Sequence, residues 1–215
     1  VLSMFTIDWS CYDCIDLSWP VHANQDNLDR PFDVRLGKLG DGTNKFDIIN
    51  THTHVGTHVE SPWHFYGKGK TCAEYPIEHF MGPAALLDPQ PSHDEPTISL
   101  AKVRGILEPL RGKFEILYVR NTSERQPIRY DMDCVPYFAG LGLKLFVFDI
   151  TVVFGKTHED GRILHDTLMK HDILLVEFPD NGQEIKRDLF YLFAVPTKTY
   201  GIDSNPCRLF AIVEK

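Results

Sequence analysis

Three apolar runs constrain this chain more than anything else in it: FEILYVR (Phe114–Arg120), LKLFVFDI (Leu143–Ile150) and ILLVEF (Ile173–Phe178). Short runs of this kind, rich in β-branched and aromatic residues, read as strands buried on both faces. Each follows a segment with helical spacing. Ser99 offers an N-cap to Leu100, Val103, Ile106, Leu107 and Leu110, and Gly112 closes that helix. Residues 131–140 carry a helix-like pattern ending at Gly140 or Gly142, and Arg162 to Lys170 reads as a third helix. Helices alternating with apolar strands predict an α/β architecture. Tyr75 to Asp88 reads as a short helical turn feeding a buried strand, and DLFYLFAVP and PCRLFAIVE as a closing hairpin. Residues 21–50 are polar and turn-rich, which suggests loops and short hairpin strands, with a strand-like pattern from Phe46 to Thr53. That strand-rich beginning predicts a mixed sheet with flanking helices, not a wholly parallel one.

No repeat, low-complexity tract or linker divides the 215 residues, so one domain spanning 1–215 is expected. At 43% apolar the chain can bury a substantial core. The balance of 22 basic against 30 acidic side chains gives a net charge of −8, which argues against nucleic acid or an anionic membrane as the main partner. No apolar run approaches the ~18–20 residues of a spanning helix. No basic stretch followed by an apolar one opens the sequence, so a soluble cytoplasmic protein is the expectation. Five cysteines are an odd count and too few for a disulfide scaffold; Cys11 and Cys14 form a CxxC, read here as reduced, incidental thiols.

The chemistry concentrates in THTHVGTHVESPWHF, residues 51–65, which holds His52, His54, His58, His64 and Glu60. Imidazole nitrogen and carboxylate oxygen together suit a divalent transition metal. Thr, Val, Gly56 and Pro62 make the segment poor helix material, so its HxxxH is not the helical zinc-protease arrangement. On an extended strand the even-numbered residues share a face, which groups His54, His58 and Glu60. Four residues of straight strand span ~13 Å, too far for two imidazoles on one ion. A bend is required, and Gly56 sits midway to supply it. Downstream, Glu177 interrupts an apolar strand, where a lone carboxylate needs a cation, a proton or hydrogen-bond donors. His165 lies on the preceding helix. Either both converge at one end of the sheet, or Glu177 caps the strand at the surface and His165 is solvated.

With these residues in view, the sequence resembles the cyclase-like metal-dependent hydrolases, the family of bacterial kynurenine formamidase and isatin hydrolase. The family signature HxGTHxDxPxH stands here as His54-Val55-Gly56-Thr57-His58-Val59-Glu60-Ser61-Pro62-Trp63-His64, with glutamate at the aspartate position. CIDLSWP, YPIEHFMGPAALLD, LKLFVFDI, the stretch from His165 to Glu177, and VPTKTYGIDSNPCRLFAIV extend the likeness along nearly the whole chain. A second departure is Asp149-Ile150-Thr151-Val152 where the family usually has D-T-P-S. The resemblance implies a swivelling β/β/α-type domain and a homodimer or homotetramer with active sites near subunit contacts. It also implies His54, His58 and Glu60 as ligands of a first metal, with His165 and Glu177 completing the centre or a second position. His64 would transfer protons.

The expected function is hydrolysis of an amide, cyclic amide or lactone by water activated on one or two divalent ions, zinc or manganese, with Glu177 and His64 as catalytic residues. Trp63 and Phe65, with Tyr66, flank the motif and could stack on an aromatic small-molecule substrate or simply pack in the core. The first rival is a non-catalytic metal or small-molecule binder, motivated by Glu60. The second is an iron(II) facial triad built on His52-x-His54 and Glu60.

Overall fold

The computed structural model describes residues 8–89, 97–120 and 127–215. In chain order the strands are β1 (Tyr12–Asp16), β2 (Phe32–Lys38), β3 (Asn44–Thr51), β4 (His58–Glu60), β5 (Met81–Leu87), β6 (Thr97–Ile98), β7 (Ile116–Val119), β8 (Ile128–Tyr130), β9 (Leu145–Phe148), β10 (Val152–Phe154), β11 (Leu174–Glu177), β12 (Leu189–Pro196) and β13 (Ser204–Glu214). The helices are α1 (Pro62–Tyr66), α2 (Leu100–Leu107), α3 (Cys134–Ala139) and α4 (His158–Lys170).

Eight strands form one sheet in the order β1-β13-β12-β5-β7-β9-β11-β4, and β4 pairs again with β13, so the ladder closes on itself. β5, β7, β9 and β11 run parallel, while the pairs made by β1, β4, β12 and β13 are antiparallel. The architecture is the expected mixed sheet with a few flanking helices. Closure of the ladder is the feature that the strand pattern did not announce.

The apolar runs are continuous because successive side chains enter two different cores. Ala84, Leu86, Ile116, Tyr118, Leu145, Val147, Leu174 and Val176 pack on one side with Leu192, Leu209 and Ala211. Their neighbours Ala85, Leu87, Leu117, Val119, Phe146, Phe148 and Leu175 pack on the other, against Val103, Leu107, Phe138, Leu164 and Leu168 of the helices. Each fully buried side chain of this size contributes ~1.5–3 kcal/mol.

α2 begins where expected, with the Ser99 hydroxyl accepting the Lys102 N–H at 3.4 Å. α4 begins four residues before Arg162, because Thr157 and Asp160 form a capping box: the Asp160 N–H donates to Thr157 Oγ1 at 3.2 Å and the Thr157 N–H to Asp160 Oδ2 at 2.9 Å. Its buried residues Leu164, Leu168 and Met169 face the sheet. The closing hairpin forms as β12 and β13.

Among the described residues β2 and β3 pair only with each other, forming a two-stranded arm. Val34 opposite Ile48 and Leu36 opposite Phe46 share one face, while Arg35 opposite Asp47 and Gly37 opposite Lys45 occupy the other. Phe46 is 66% and Ile48 60% exposed. All five cysteines are free, Cys11 and Cys14 at the surface. Among the described residues no helix is long and apolar enough to cross a membrane.

Candidate metal centre

Strand register assembles the centre. β4 lies against β11 with His58 opposite Glu177 and Glu60 opposite Leu175. Paired residues share a face, as do residues two apart, so His58, Glu60 and Glu177 point to one side. Val59 and Val176 point the other way, into the core. On its second edge β4 meets β13, with Ser204 opposite Glu60. His54 is delivered by a turn in which the Val55 N–H donates to the His52 carbonyl at 3.2 Å. Gly56 follows with φ +64°, where a Cβ would stand 2.4 Å from Val21 Cγ2. Only glycine fits there, and the bend expected from ligand spacing is this residue. Thr57 locks the turn: its hydroxyl accepts the Trp19 N–H at 2.7 Å and donates to the Phe178 carbonyl at 2.6 Å. α1 opens with Pro62 and ends at Gly67 in the left-handed region, placing His64 one turn beyond Glu60. α4, packed on α1, brings His165 over the same spot.

The donor atoms lie close together. His54 Nδ1 is 3.0 Å from Glu60 Oε1 and 3.1 Å from His58 Nε2. His58 Nε2 is 3.7 Å from both Glu60 Oε1 and Glu177 Oε2. His165 Nε2 is 3.5 Å from Glu60 Oε2 and 3.4 Å from Glu177 Oε1. His64 Nε2 stands 3.6 Å from Glu60 Oε1. Ligands at ~2.1 Å around a tetrahedral ion are separated by about 3.4 Å, so this spacing suits a divalent metal.

The outer nitrogens fix which atoms face inward. His58 Nδ1 donates to the Gly56 carbonyl at 2.8 Å, His165 Nδ1 to the Gly161 carbonyl at 2.9 Å, and His54 Nε2 to Asp203 Oδ2 at 3.0 Å. These assignments follow from the acceptors, since carbonyl and carboxylate oxygens cannot donate. In its neutral form each ring therefore turns a lone pair toward the carboxylates of Glu60 and Glu177. Lone pairs facing anions repel unless a cation or shared protons sit between them. Glu60 Oε2, moreover, is buried with no hydrogen-bond donor among the described residues. The residues fit a bound divalent ion, and their outer hydrogen bonds are the orienting shell such ligands require.

Without the ion, the charges brace one another. Burial works to raise the Glu60 carboxyl, but His54 and His58 hydrogen bonds and the charges of His64 and His165 hold it far below the ordinary range. Asp203 is likewise lowered against its burial by hydrogen bonds from His64, His54 and Thr53. Burial depresses His54 and His165, yet their carboxylate partners raise both above the usual imidazole value.

All six residues expected at the centre converge: His54, His58, Glu60, His64, His165 and Glu177. Glu177 is not a solvated cap, its side chain being only 18% exposed. His52 does not join them, because its Nδ1 accepts the His54 backbone N–H at 3.1 Å; the His52-x-His54 facial triad does not assemble. Trp63 and Phe65 are placed differently. Successive helical residues are rotated by ~100°, so Trp63 and Phe65 diverge across α1. Phe65 lines a cavity of about 550 Å³ beside His64 and His165, whereas Trp63 is an exposed residue outside its lining. Phe148, Val152, Phe154 and Leu164 complete the apolar wall, and Arg129, Lys156 and Arg162 are its charged residues. Asp203, in the β12–β13 connection, was not anticipated. It sits alone in GIDSNP, with no histidine or carboxylate spacing to single it out.

A family model described as "Putative cyclase" matches residues 15–151. Kynurenine formamidase from Bacillus thuringiensis (strain Al Hakam) is 24% identical over 216 residues, covering 95% of this chain and 97% of that protein. Kynurenine formamidase from Geobacillus thermodenitrificans is 28% identical over 192 residues, covering 84% and 87%. Among solved structures, isatin hydrolase A from Labrenzia aggregata, bound to benzyl benzoate, superposes with a TM-score of 0.74 at 15% identity over 96% of this chain and 95% of that one.

Proposed function

Because the chain belongs to the Cyclase family, we propose that it is a metal-dependent hydrolase that opens the C–N bond of an amide or cyclic amide, or the C–O bond of a lactone. The observation that carries this reading is the convergence of imidazole nitrogens on Glu60, whose buried Oε2 has no donor among the described residues. The kynurenine formamidase relatives support amides as the substrate class, and the isatin hydrolase fold supports cyclic ones. His54, His58 and Glu60 would hold one ion, zinc or manganese; Glu60, His165 and Glu177 would hold a second or complete the first. A divalent ion there supplies Lewis acidity, polarising a carbonyl and making water more acidic.

The chain's own residues do the rest. His64 Nδ1 donates to Asp203 Oδ2 at 2.9 Å, leaving Nε2 on the cluster side to take up a proton and return it to the departing nitrogen or oxygen. Phe65, Phe148 and Phe154 offer an apolar wall for an aryl group, and Glu177 holds the metal side of the site. Among the described residues no carboxylate lines the cavity, while Arg129, Lys156 and Arg162 do, which favours substrates with an acidic group remote from the scissile bond.

Metal-loaded protein is expected to hydrolyse members of a panel of formanilides, isatin-like cyclic amides and lactones, with turnover lost to a chelator and restored by zinc or manganese. His64→Ala should keep its metal and lose about 10²–10⁴-fold in turnover. Metal uptake with no turnover across the panel would instead establish the non-catalytic binder.

The proposed partner is a second copy of this chain, because the amphipathic β2–β3 arm presents Leu36, Phe46 and Ile48 to solvent and a lone two-stranded hairpin is marginal in water. Sedimentation should report a dimer or tetramer for the native chain and a smaller species for Phe46→Glu/Ile48→Glu. A native monomer removes the proposal.

A further inference from the structure

We propose that Asp203 is a positioning residue that orients the metal-facing imidazole of His54 and the proton-transferring imidazole of His64 through one carboxylate oxygen. The inference rests on the hydrolase reading and assigns to it a residue outside the histidine motif. Oδ2 is 3.0 Å from His54 Nε2 and 2.9 Å from His64 Nδ1. The two rings lie 4.5 Å apart, tilted by 59°. Among the described residues neither nitrogen has another acceptor, so this oxygen alone sets both tautomers. Both rings then present their second nitrogen to Glu60 Oε1, His54 Nδ1 at 3.0 Å and His64 Nε2 at 3.6 Å.

The carboxylate is itself held. Its other oxygen accepts the Thr53 hydroxyl at 2.8 Å. The Asp203 carbonyl accepts the Ser61 hydroxyl at 3.1 Å and the Ser61 N–H at 3.4 Å, directly after Glu60 in the chain. The aspartate is thus anchored on both sides of the motif it orients, and Ser204, its neighbour, pairs with Glu60 across the ladder. An aspartate confined to bracing the loop would need neither histidine. The geometry gives it two separate outputs: how tightly His54 binds an ion, and how well His64 moves a proton.

The two outputs can be read independently. Zinc affinity, measured by competition with a chromogenic chelator, needs no turnover. Asp203→Ala and the near-isosteric Asp203→Asn should weaken zinc by about 10–100-fold, the usual effect of removing a partner behind a metal-bound histidine. His64→Ala should stay within roughly threefold of the native affinity. At saturating zinc, Asp203→Ala should lower kcat by about 10²-fold on an amide with a poor leaving group, with KM little changed. A nitrophenyl ester, which needs no proton on departure, should be hydrolysed nearly as fast as by the native protein. Asp203→Ala/His64→Ala should be no slower on the amide than His64→Ala, because both changes remove one device. Asp203→Glu should recover part of both readouts. Unchanged zinc affinity in both Asp203→Ala and Asp203→Asn, equal losses on the two substrates, or losses that multiply in the double variant would overturn the assignment. Should the native protein hydrolyse neither substrate, the hydrolase reading fails by itself, and the zinc titration still decides the His54 half.

Discussion

Glu60→Gln is expected to erase the thermal stabilisation that zinc gives the native protein while lowering the apo protein's own stability only slightly. At a free metal concentration a hundredfold above Kd, a bound ion adds about 2.7 kcal/mol. For a domain of this size that raises Tm by about 5–11 °C. Glu60 reaches both halves of the centre, Oε1 toward His54 and His58 and Oε2 toward His165, and it is more deeply buried than Glu177, which also approaches His58 and His165. Its loss should therefore exceed the ~10–100-fold cost of an outer-shell change. In the apo state the amide keeps the carboxylate's shape but not the charge that braces His54 and His165, so the loss there is small beside the loss of metal binding. Scanning calorimetry with and without zinc checks both halves of the expectation. A Glu60→Gln protein with the full native zinc shift would remove Glu60 from the centre.

Gly56→Val should be the most damaging single change in the turn, costing on the order of 3 kcal/mol or more, about 6–12 °C in Tm. Two penalties add: a β-branched residue at φ +64°, and a Cβ set 2.4 Å from Val21 Cγ2. The strain falls between His54 and His58, so zinc affinity should drop with stability. Gly67 also has positive φ, but nothing lies within 4 Å of a Cβ there, so Gly67→Ala should cost less and leave the metal in place. Equal Tm values for the native and Gly56→Val proteins would mean that the bend does not depend on glycine.

Much of this was legible in the sequence because the relevant signals are local. The even spacing of His54, His58 and Glu60, the need for a bend and the glycine available to supply it all lie within seven consecutive residues. The buried strands declared themselves by apolarity on both faces, and Ser99 marked its helix by a capping hydroxyl. Distant pairings were not legible. Nothing near Glu177 states that it will lie opposite His58, and nothing near Asp203 states that it will meet two imidazoles, because strand register and loop reach link those positions across more than a hundred residues. Where Trp63 and Phe65 would point was not legible either. Proximity in sequence to a motif says little about direction once the chain turns helical, and one step along α1 separates a cavity wall from solvent.

β4 hangs between β11 and β13, and both of its neighbours are translated long after it. On a ribosome adding ~5–20 residues per second, the imidazoles at 54 and 58 wait roughly 6–25 s before residue 177 exists to face them. During that interval the two imidazoles lack the carboxylate that faces them across the finished ladder. Selection of the right ion must therefore follow assembly, when insertion of this short stave between its two late neighbours closes the cage. Truncating the chain before residue 203 should leave a protein that cannot hold the ion, however intact its histidine motif.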